Sequence, residues 1–370
     1  ADEAFAADIR YPENLYPILD RYNLRLVLPV PIGRCLITAG AVNDHYRLPG
    51  VSRRAADHCT DKWKFHKTLQ KYSLRNIRAF LLEKGLENVN LSINEIDFPC
   101  ILKPRFGSGS RAVTVSQDMN RLEKELEAVF PLKEDFIIET CVEGTEYGVD
   151  GAVIGGIFHL ILLQKKINTE VPYRQCVGYL SVANKPKDRV FFEGLSAYLE
   201  SALRILGVND CLFHADVIRD KTDRPFLIEL SARPSGHNLT HLFTPMVTNV
   251  SGTEEFLKYS LPELGQDYSF SPKSTRQMMI RYFDLSGIVK RVPDEAELAK
   301  RFPLRIYRCN ISPGDRLGNV VDGASVMKRG YFVLEADSEE RLIRLGEELL
   351  NEFIMEETDE NELFDTSDSV

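Results

Sequence analysis

Phe213-His214-Ala215-Asp216-Val217-Ile218 and Pro225-Phe226-Leu227-Ile228-Glu229-Leu230 are the two runs on which the fold of this chain turns. Short, largely apolar runs bounded by polar turn residues are the signature of buried strands. Between them lie Arg219-Asp220-Lys221-Thr222-Asp223-Arg224, a six-residue polar turn, so the two runs are expected to form a hairpin. Asp216 and Glu229, thirteen positions apart, can then face each other across it. A buried carboxylate without a partner is costly. Two facing acids suit Mg²⁺, which takes a few hard protein oxygens and fills its shell with water and substrate phosphates. The plainer alternative pairs each acid with a nearby arginine.

Directly downstream stands Ser231-Ala232-Arg233-Pro234-Ser235-Gly236-His237-Asn238. Arg233 would lie beside the metal, where its planar fork suits a carboxylate or a transferring phosphoryl group. Pro234 and Gly236 fix a turn, and His237 and Asn238 could reach a substrate. The alternative makes Arg233 the salt-bridge partner of Asp216.

Upstream, Phe98 to Pro104 is expected to be a strand that ends on Lys103, and Ala112 to Val115 its hairpin partner. The loop Gly107-Ser108-Gly109-Ser110 joins them. Small residues let backbone N–H groups approach phosphate oxygens, and serine hydroxyls add donors. The same loop also fits a plain hairpin turn. It is not a P-loop, since no Gly-Lys-Ser/Thr follows. Next, Phe136 to Glu139 forms a strand running into Thr140-Cys141-Val142-Glu143-Gly144-Thr145-Glu146. Glu139 with the Cys141–Val142 backbone suits an adenine edge, and Glu146 suits ribose hydroxyls; a solvated acidic loop is the other reading. In Cys59-Thr60-Asp61-Lys62-Trp63-Lys64, Lys62 is either a phosphate contact or part of a basic surface. Lys165-Lys166 and Tyr173-Arg174 fit ordinary surface slightly better than a substrate wall.

Other elements are read in the same way. Tyr11 to Tyr22 is expected to be a helix, Leu24 to Val30 a buried strand, and 52–70 a helical stretch capped by Ser52. Asp118 to Phe130 is an amphipathic helix, and Tyr147 to Ile154 with Ile157 to Lys165 a hairpin across Gly155-Gly156. Phe191 to Leu206 is a helix stopped by Gly207. Gln277 to Phe283, Leu304 to Arg308 and Gly330 to Ala336 are strands, the last leading into a helix from Ser338 to Phe353. Glu356 to Val370 is an acidic tail. One helix and one strand before residue 50 do not make a domain, so preceding strands are expected to lie outside the sequence.

Composition bounds the function. A chain of 370 residues has room for two or three domains, or one large one built of subdomains. Hydrophobic residues make up 44%, enough for a sizeable core and too many for a disordered chain. With 46 basic and 55 acidic residues the net charge is −9, which argues against a dedicated nucleic-acid binder. No run of 18 apolar residues exists, and no signal peptide is visible at Ala1-Asp2-Glu3-Ala4. Seven scattered cysteines without a CxxC pair point away from disulfides and zinc and toward a cytoplasmic setting.

In this order and spacing, these pieces resemble the ATP-grasp superfamily. The matching features are Asp61-Lys62, Phe98-Pro99 to Lys103-Pro104 with its Gly/Ser loop, Ile138-Glu139 to Glu143-Gly144, Asp216 with Glu229, and Arg233. Within the superfamily, Glu229 to His237 is similar to the carboxylate–amine ligases, notably L-amino acid ligases. The resemblance implies an α/β and α+β chain of ATP-grasp fold. Its parts would be a truncated Rossmann-like N-terminal subdomain over 1–60, a central region with the lid over 61–180, and a metal-bearing C-terminal subdomain over 181–355. The tail, 356–370, follows. By position, Lys62 and Lys103 would hold phosphates and Ser108, Gly109 and Ser110 would cover them. Glu139, Cys141 and Val142 would meet adenine, Glu146 the ribose, Asp216 and Glu229 the metal, and Arg233 the acyl phosphate. Ser235, Gly236 and His237 would line the substrate side.

One departure is Ser231, where the family has Asn two positions after the second metal acid; it puts a second metal in question. The implied activity is an ADP-forming, ATP- and Mg²⁺-dependent (or Mn²⁺-dependent) ligase that forms peptide bonds between small carboxylate and amine substrates through an acyl phosphate. No nucleic acid or membrane is involved, and a homodimer is compatible with the family. Two alternatives stay open: a biotin-carboxylase-like or purine-pathway enzyme of the same fold, and an ATP-binding module without catalysis.

Overall fold

A computed structural model describes residues 2–29, 33–84, 96–107, 109, 111–170, 174–183, 188–265 and 267–357. Ser108, Ser110, Tyr173 and the tail beyond residue 357 therefore lie outside the described residues. The strands begin with β1 (Ala79–Leu82), β2 (Cys100–Pro104), β3 (Thr114–Ser116), β4 (Phe136–Thr140) and β5 (Thr145–Ile154). Next come β6 (Ile157–Asn168), β7 (Cys176–Ser181), β8 (Cys211–Arg219), β9 (Pro225–Ser231) and β10 (Met278–Tyr282). The last are β11 (Gly287–Arg291), β12 (Leu304–Cys309), β13 (Arg316–Leu317), β14 (Gly330–Glu335) and β15 (Ile354–Glu356). The chain divides into two compact units: Ala1–Ser108, Thr114–Leu163 and Asn184–Ser274 make the first, and Gly109–Val113, Gln164–Ala183 and Thr275–Val370 the second.

The first unit holds two antiparallel arrays. One is the small sheet β1-β4-β2-β3, in which β2 lies between β3 and β4. The other runs β6-β5-β8-β9, with β9 at its edge. The β5–β6 turn is made by Gly155 and Gly156 at φ 56° and 79°, the left-handed pair that a two-residue hairpin requires. Their amides donate to the side chains of Asp210 and Asn209 at 2.8 Å each. The 52–70 stretch is two helices, Arg53–Thr60 and Lys62–Lys71, broken at Asp61. Ser52 caps the first through Ala55 N–H, and Asp61 caps the second through the N–H groups of Trp63 and Lys64. Helix Arg189–Leu206 buries Leu195, Leu199, Ala202 and Leu206 on one stripe and ends at Gly207 in the left-handed region.

The second unit has β7, β10, β14 and β12 side by side, extending from the second half of β6, and a small sheet β13-β11-β15. Phe283, Phe302, Phe332, Leu342, Leu349 and Phe353 are among the buried residues of its core.

Three sequence expectations fail here. Tyr11 to Tyr22 is not one helix: Pro12 and Pro17 each open a short turn, giving a 3₁₀ turn Pro12–Asn14 and a single helical turn Tyr16–Leu19. The described part of Leu24 to Val30 is not a strand but irregular chain. No described strand pairs with it, and Pro29 lacks the N–H that a ladder needs. Glu356, expected to open the tail, instead closes β15 opposite Ile288. Among the described residues no helix is long and apolar enough to cross a membrane.

Candidate active site

The paired acids lie where the hairpin arithmetic puts them. Asp216 on β8 and Glu229 on β9 are direct cross-strand partners. The register then slips, because Val217 pairs with Leu227 and Ile228 is left as an extra residue in β9. This bulge explains how Leu227 and Leu230, three apart, are both fully buried while Glu229 shares the face of Asp216. A strand without the extra residue would alternate strictly and turn Glu229 to the same face as buried Leu227.

The acids share their face with a second polar row. Asp150 on β5 is opposite His214, and His214 is opposite Ser231. His214 Nδ1 lies 2.7 Å from one Asp150 oxygen, and Thr244 Oγ1 donates to the other at 2.7 Å. His214 Nε2 approaches Asp216 Oδ1 at 3.3 Å. Burial opposes a charge on His214, but the hydrogen bonds to Asp150 and Asp216 outweigh it and raise its pKa to about 9. Among the described residues none forms an ion pair with Glu229.

Arg233 stands two residues after the end of β9, and its Nη1 donates to the Pro234 carbonyl at 2.8 Å. Burial lowers its pKa, while the charges of Glu229 and Asp216 pull it back up, so the guanidinium sits in the field of both acids. Ser235 is buried and its hydroxyl is 2.7 Å from Thr240 Oγ1. His237 and Asn238 both hold φ 55°, a conformation uncommon for residues with a Cβ. Gly236 accepts from Leu239 N–H at 3.0 Å within the same turn.

The phosphate and base candidates are already engaged with one another. Glu139 on β4 is buried, and its carboxylate takes the Lys103 ammonium on one oxygen and Arg75 Nη2 at 2.7 Å on the other. Expected at an adenine edge, this carboxylate is instead the anion of an internal cluster. Burial would raise its pKa, but Arg75 and Lys103 hold it down at about 2. The cluster carries two cations for one anion, so burial lowers the pKa of Lys103 despite the pull of Glu139. Lys62 donates from Nζ to the Gly107 carbonyl at 2.7 Å, and its backbone N–H to the Arg105 carbonyl at 3.2 Å. Arg105 in turn forks onto Asp61 at 2.9 and 2.8 Å, fixing the start of the Gly/Ser loop to the helix N-terminus.

After β4, Cys141 N–H is committed to the Pro99 carbonyl at 2.9 Å. Gly144 is required there: its φ is 157°, and a Cβ would meet the Arg219 carbonyl oxygen at 2.2 Å. Glu146 lies on β5 opposite Ile218, on the strand that also bears Asp150. Gly109 belongs to the second unit, where its carbonyl accepts from Gly323 N–H at 3.2 Å.

The donor set at Asp216 and Glu229 fits a hard divalent cation. Two carboxylates share one face, Ser231 offers a hydroxyl next along the strand, and no larger metal-ligating cluster occurs among the described residues. Sequence reasoning missed three residues of this neighbourhood. His214 and Asp150 were open to it through strand alternation, since His214 stands two before Asp216. Arg75 carries no local signal.

With this geometry in hand, comparison with known proteins gives the class. Residues 96–241 match the ATP-grasp domain family. Over that stretch the chain is similar to ATP-grasp domains, and its fold is like that of ATP-grasp proteins. Among solved structures, an L-amino acid ligase from Bacillus licheniformis superposes with a TM-score of 0.75 at 17% identity, covering 94% of this chain and 84% of that one. Among curated proteins, the large chain of carbamoyl phosphate synthase from Sulfurisphaera tokodaii is 26% identical over 57% of this chain and 21% of its own length. A D-alanine–D-alanine ligase from Campylobacter lari is 25% identical over 56% and 60%, and the alanine–anticapsin ligase of Bacillus subtilis 24% identical over 52% and 45%. The chain thus spans between a fifth and three fifths of the length of these curated relatives.

Proposed function

We propose that this chain is an ATP-dependent carboxylate–amine ligase that forms ADP and acts on amino acids or similar small acids. The supporting observation is the Asp216–Glu229 pair, turned onto one face by the β9 bulge and followed by Arg233. The relatives named as ligases of alanine favour an amino acid as the carboxylate.

In the proposed reaction a carboxylate oxygen attacks the γ-phosphorus of ATP, the bond to the β-phosphate oxygen breaks, and an acyl phosphate and ADP result. The amine then attacks the acyl carbon, loses a proton, and inorganic phosphate leaves. Asp216 and Glu229 would hold Mg²⁺, which when bound offsets negative charge on nucleotide oxygens. Arg233 would stabilise the phosphoryl group in transfer, and Lys62 would exchange Gly107 for a phosphate. Catalysis is then mainly positioning and electrostatics. We place this chemistry in the cytoplasm, in a site that must exclude water from the acyl phosphate.

The test is ADP and phosphate release from ATP and Mg²⁺ over pairs of amino acids, with the product identified by mass. Release that depends on both partners and yields an amide is expected; ATP binding without release under any pair would overturn the reading. The match to carbamoyl phosphate synthase supports a second reading, in which bicarbonate is the carboxylate. ADP release that requires bicarbonate and ignores amino acids would select it.

A further inference from the structure

Arg75 lies in the turn after helix Lys62–Lys71, far in sequence from Glu139, Asp216 and Glu229, and is 1% exposed. A guanidinium removed from water needs its donors satisfied. Here each of its three nitrogens donates to a different element. Nη2 donates to Glu139 on β4 at 2.7 Å, Nε to His66 Nδ1 at 3.2 Å, and Nη1 to the backbone carbonyl of Leu227 on β9. The ring of Phe226 lies 4.7 Å from its centre. Burial, followed by the Arg75 charge, lowers the pKa of His66 to about 4, so the imidazole is a neutral acceptor.

Leu227 is the residue next to the bulge. Its carbonyl takes Arg75, and its N–H donates to Tyr198 Oη at 3.2 Å. Tyr198 Oη donates onward to the Leu74 carbonyl at 2.7 Å, the residue before Arg75. Both backbone groups of Leu227 are thus held by side chains on the outer edge of β9. An edge strand ordinarily leaves such groups to water. Here two side chains fix the backbone one residue before Ile228, the extra residue that sets the face of Glu229.

We infer that Arg75, assisted by Tyr198, is the positioning residue of the metal pair: it locks the β9 bulge in the register that turns Glu229 toward Asp216. The inference rests on the ligase reading and assigns a cause to the geometry of that site. Through Glu139 the same guanidinium also ties the Lys103 side of the site to β9.

The test measures Mn²⁺ affinity by electron paramagnetic resonance, with an ATP analogue carrying an imido β–γ bridge, on the whole chain. Arg75→Lys keeps the charge but cannot fork to Glu139 and Leu227 together. Partners behind metal ligands typically change metal affinity by about 10–100-fold, and Arg75→Lys is expected in that range. Tyr198→Phe removes one hydroxyl and is expected to weaken Mn²⁺ several-fold in the same direction. A purely structural role would lower the unfolding temperature and leave Mn²⁺ affinity unmoved, and that result in a folded Arg75→Lys variant overturns the inference. If Arg75→Lys does not fold, Tyr198→Phe decides: unchanged affinity overturns it, weakened affinity supports it. Glu229→Gln separates the two levels. If Glu229→Gln weakens Mn²⁺ and Arg75→Lys does not, only the inference fails. If Glu229→Gln binds Mn²⁺ as the unaltered chain does, the metal site of the ligase reading fails, and the inference with it.

Discussion

Two groups of charges in the first unit are built in opposite ways. Around Glu139 the one anion is matched on both oxygens: Arg75 and Lys103 close on its carboxylate, all three are more than nine-tenths buried, and His66 completes the set. Around Glu229 the acids stand together, half-exposed, with no ion pair to Glu229 among the described residues. The buried cluster is closed by its own counter-ions, whereas Asp216 and Glu229 place two like charges on one face, with His214 approaching Asp216. The difference is the reason we propose a structural role for the first group and metal binding for the second.

The comparison breaks most sharply under substitution. Glu229→Gln should reduce substrate-driven ADP release by at least about 10²-fold, the scale of losing a key electrostatic group. It should cost less than about 1 kcal/mol of stability, because it relieves repulsion with Asp216. Near-normal turnover would remove Glu229 from the site. Glu139→Ala should do the reverse in emphasis and lower stability by about 3–5 kcal/mol in urea unfolding, since it strands two buried cations. A loss under 1 kcal/mol would show that the cluster is not a structural closure.

Acid should attack the matched cluster first. His66 has a folded pKa of about 4, below its ordinary 6.5, so the unfolded chain binds its proton more readily. Its contribution is complete above pH 6.5 and is lost as pH falls toward 4. Glu139, held at about 2 against an ordinary 4.5, contributes fully above 4.5 and loses that as pH falls toward 2. Stability should therefore decline in two stages below pH 6.5, and His66→Gln should flatten the upper stage in pH-resolved unfolding. An unchanged profile in His66→Gln would contradict the assignment. The smallest effect concerns the loop. Lys62→Met should change stability by less than about 1 kcal/mol, yet speed amide exchange around Gly107 by freeing its carbonyl.

What could be read from the sequence follows from distance along the chain. Asp216 and Glu229 were legible because a hairpin converts spacing into pairing, and Asp220, which accepts from the N–H groups of Thr222 and Arg224, makes the turn as tight as its composition suggests. Asp118, Ser52 and Gly207 announced their helix ends by chemistry that acts within four residues. The bulge at Ile228 was not legible, since nothing in Phe226-Leu227-Ile228-Glu229 distinguishes it from a regular strand. Nor was Arg75, whose partners stand 64 and 152 positions away at Glu139 and Leu227. The Leu24 to Val30 run shows the converse error: apolar residues suggested a strand, but a strand exists only with a neighbour to pair with.

The central claim is that Asp216 and Glu229 together hold a divalent cation against nucleotide oxygens. Anomalous scattering from a crystal grown with Mn²⁺ and ADP tests it most directly. The account predicts a peak between the two carboxylates, within bonding distance of both. A nucleotide bound with those carboxylates apart, or closed on guanidinium groups with no metal between them, would contradict it.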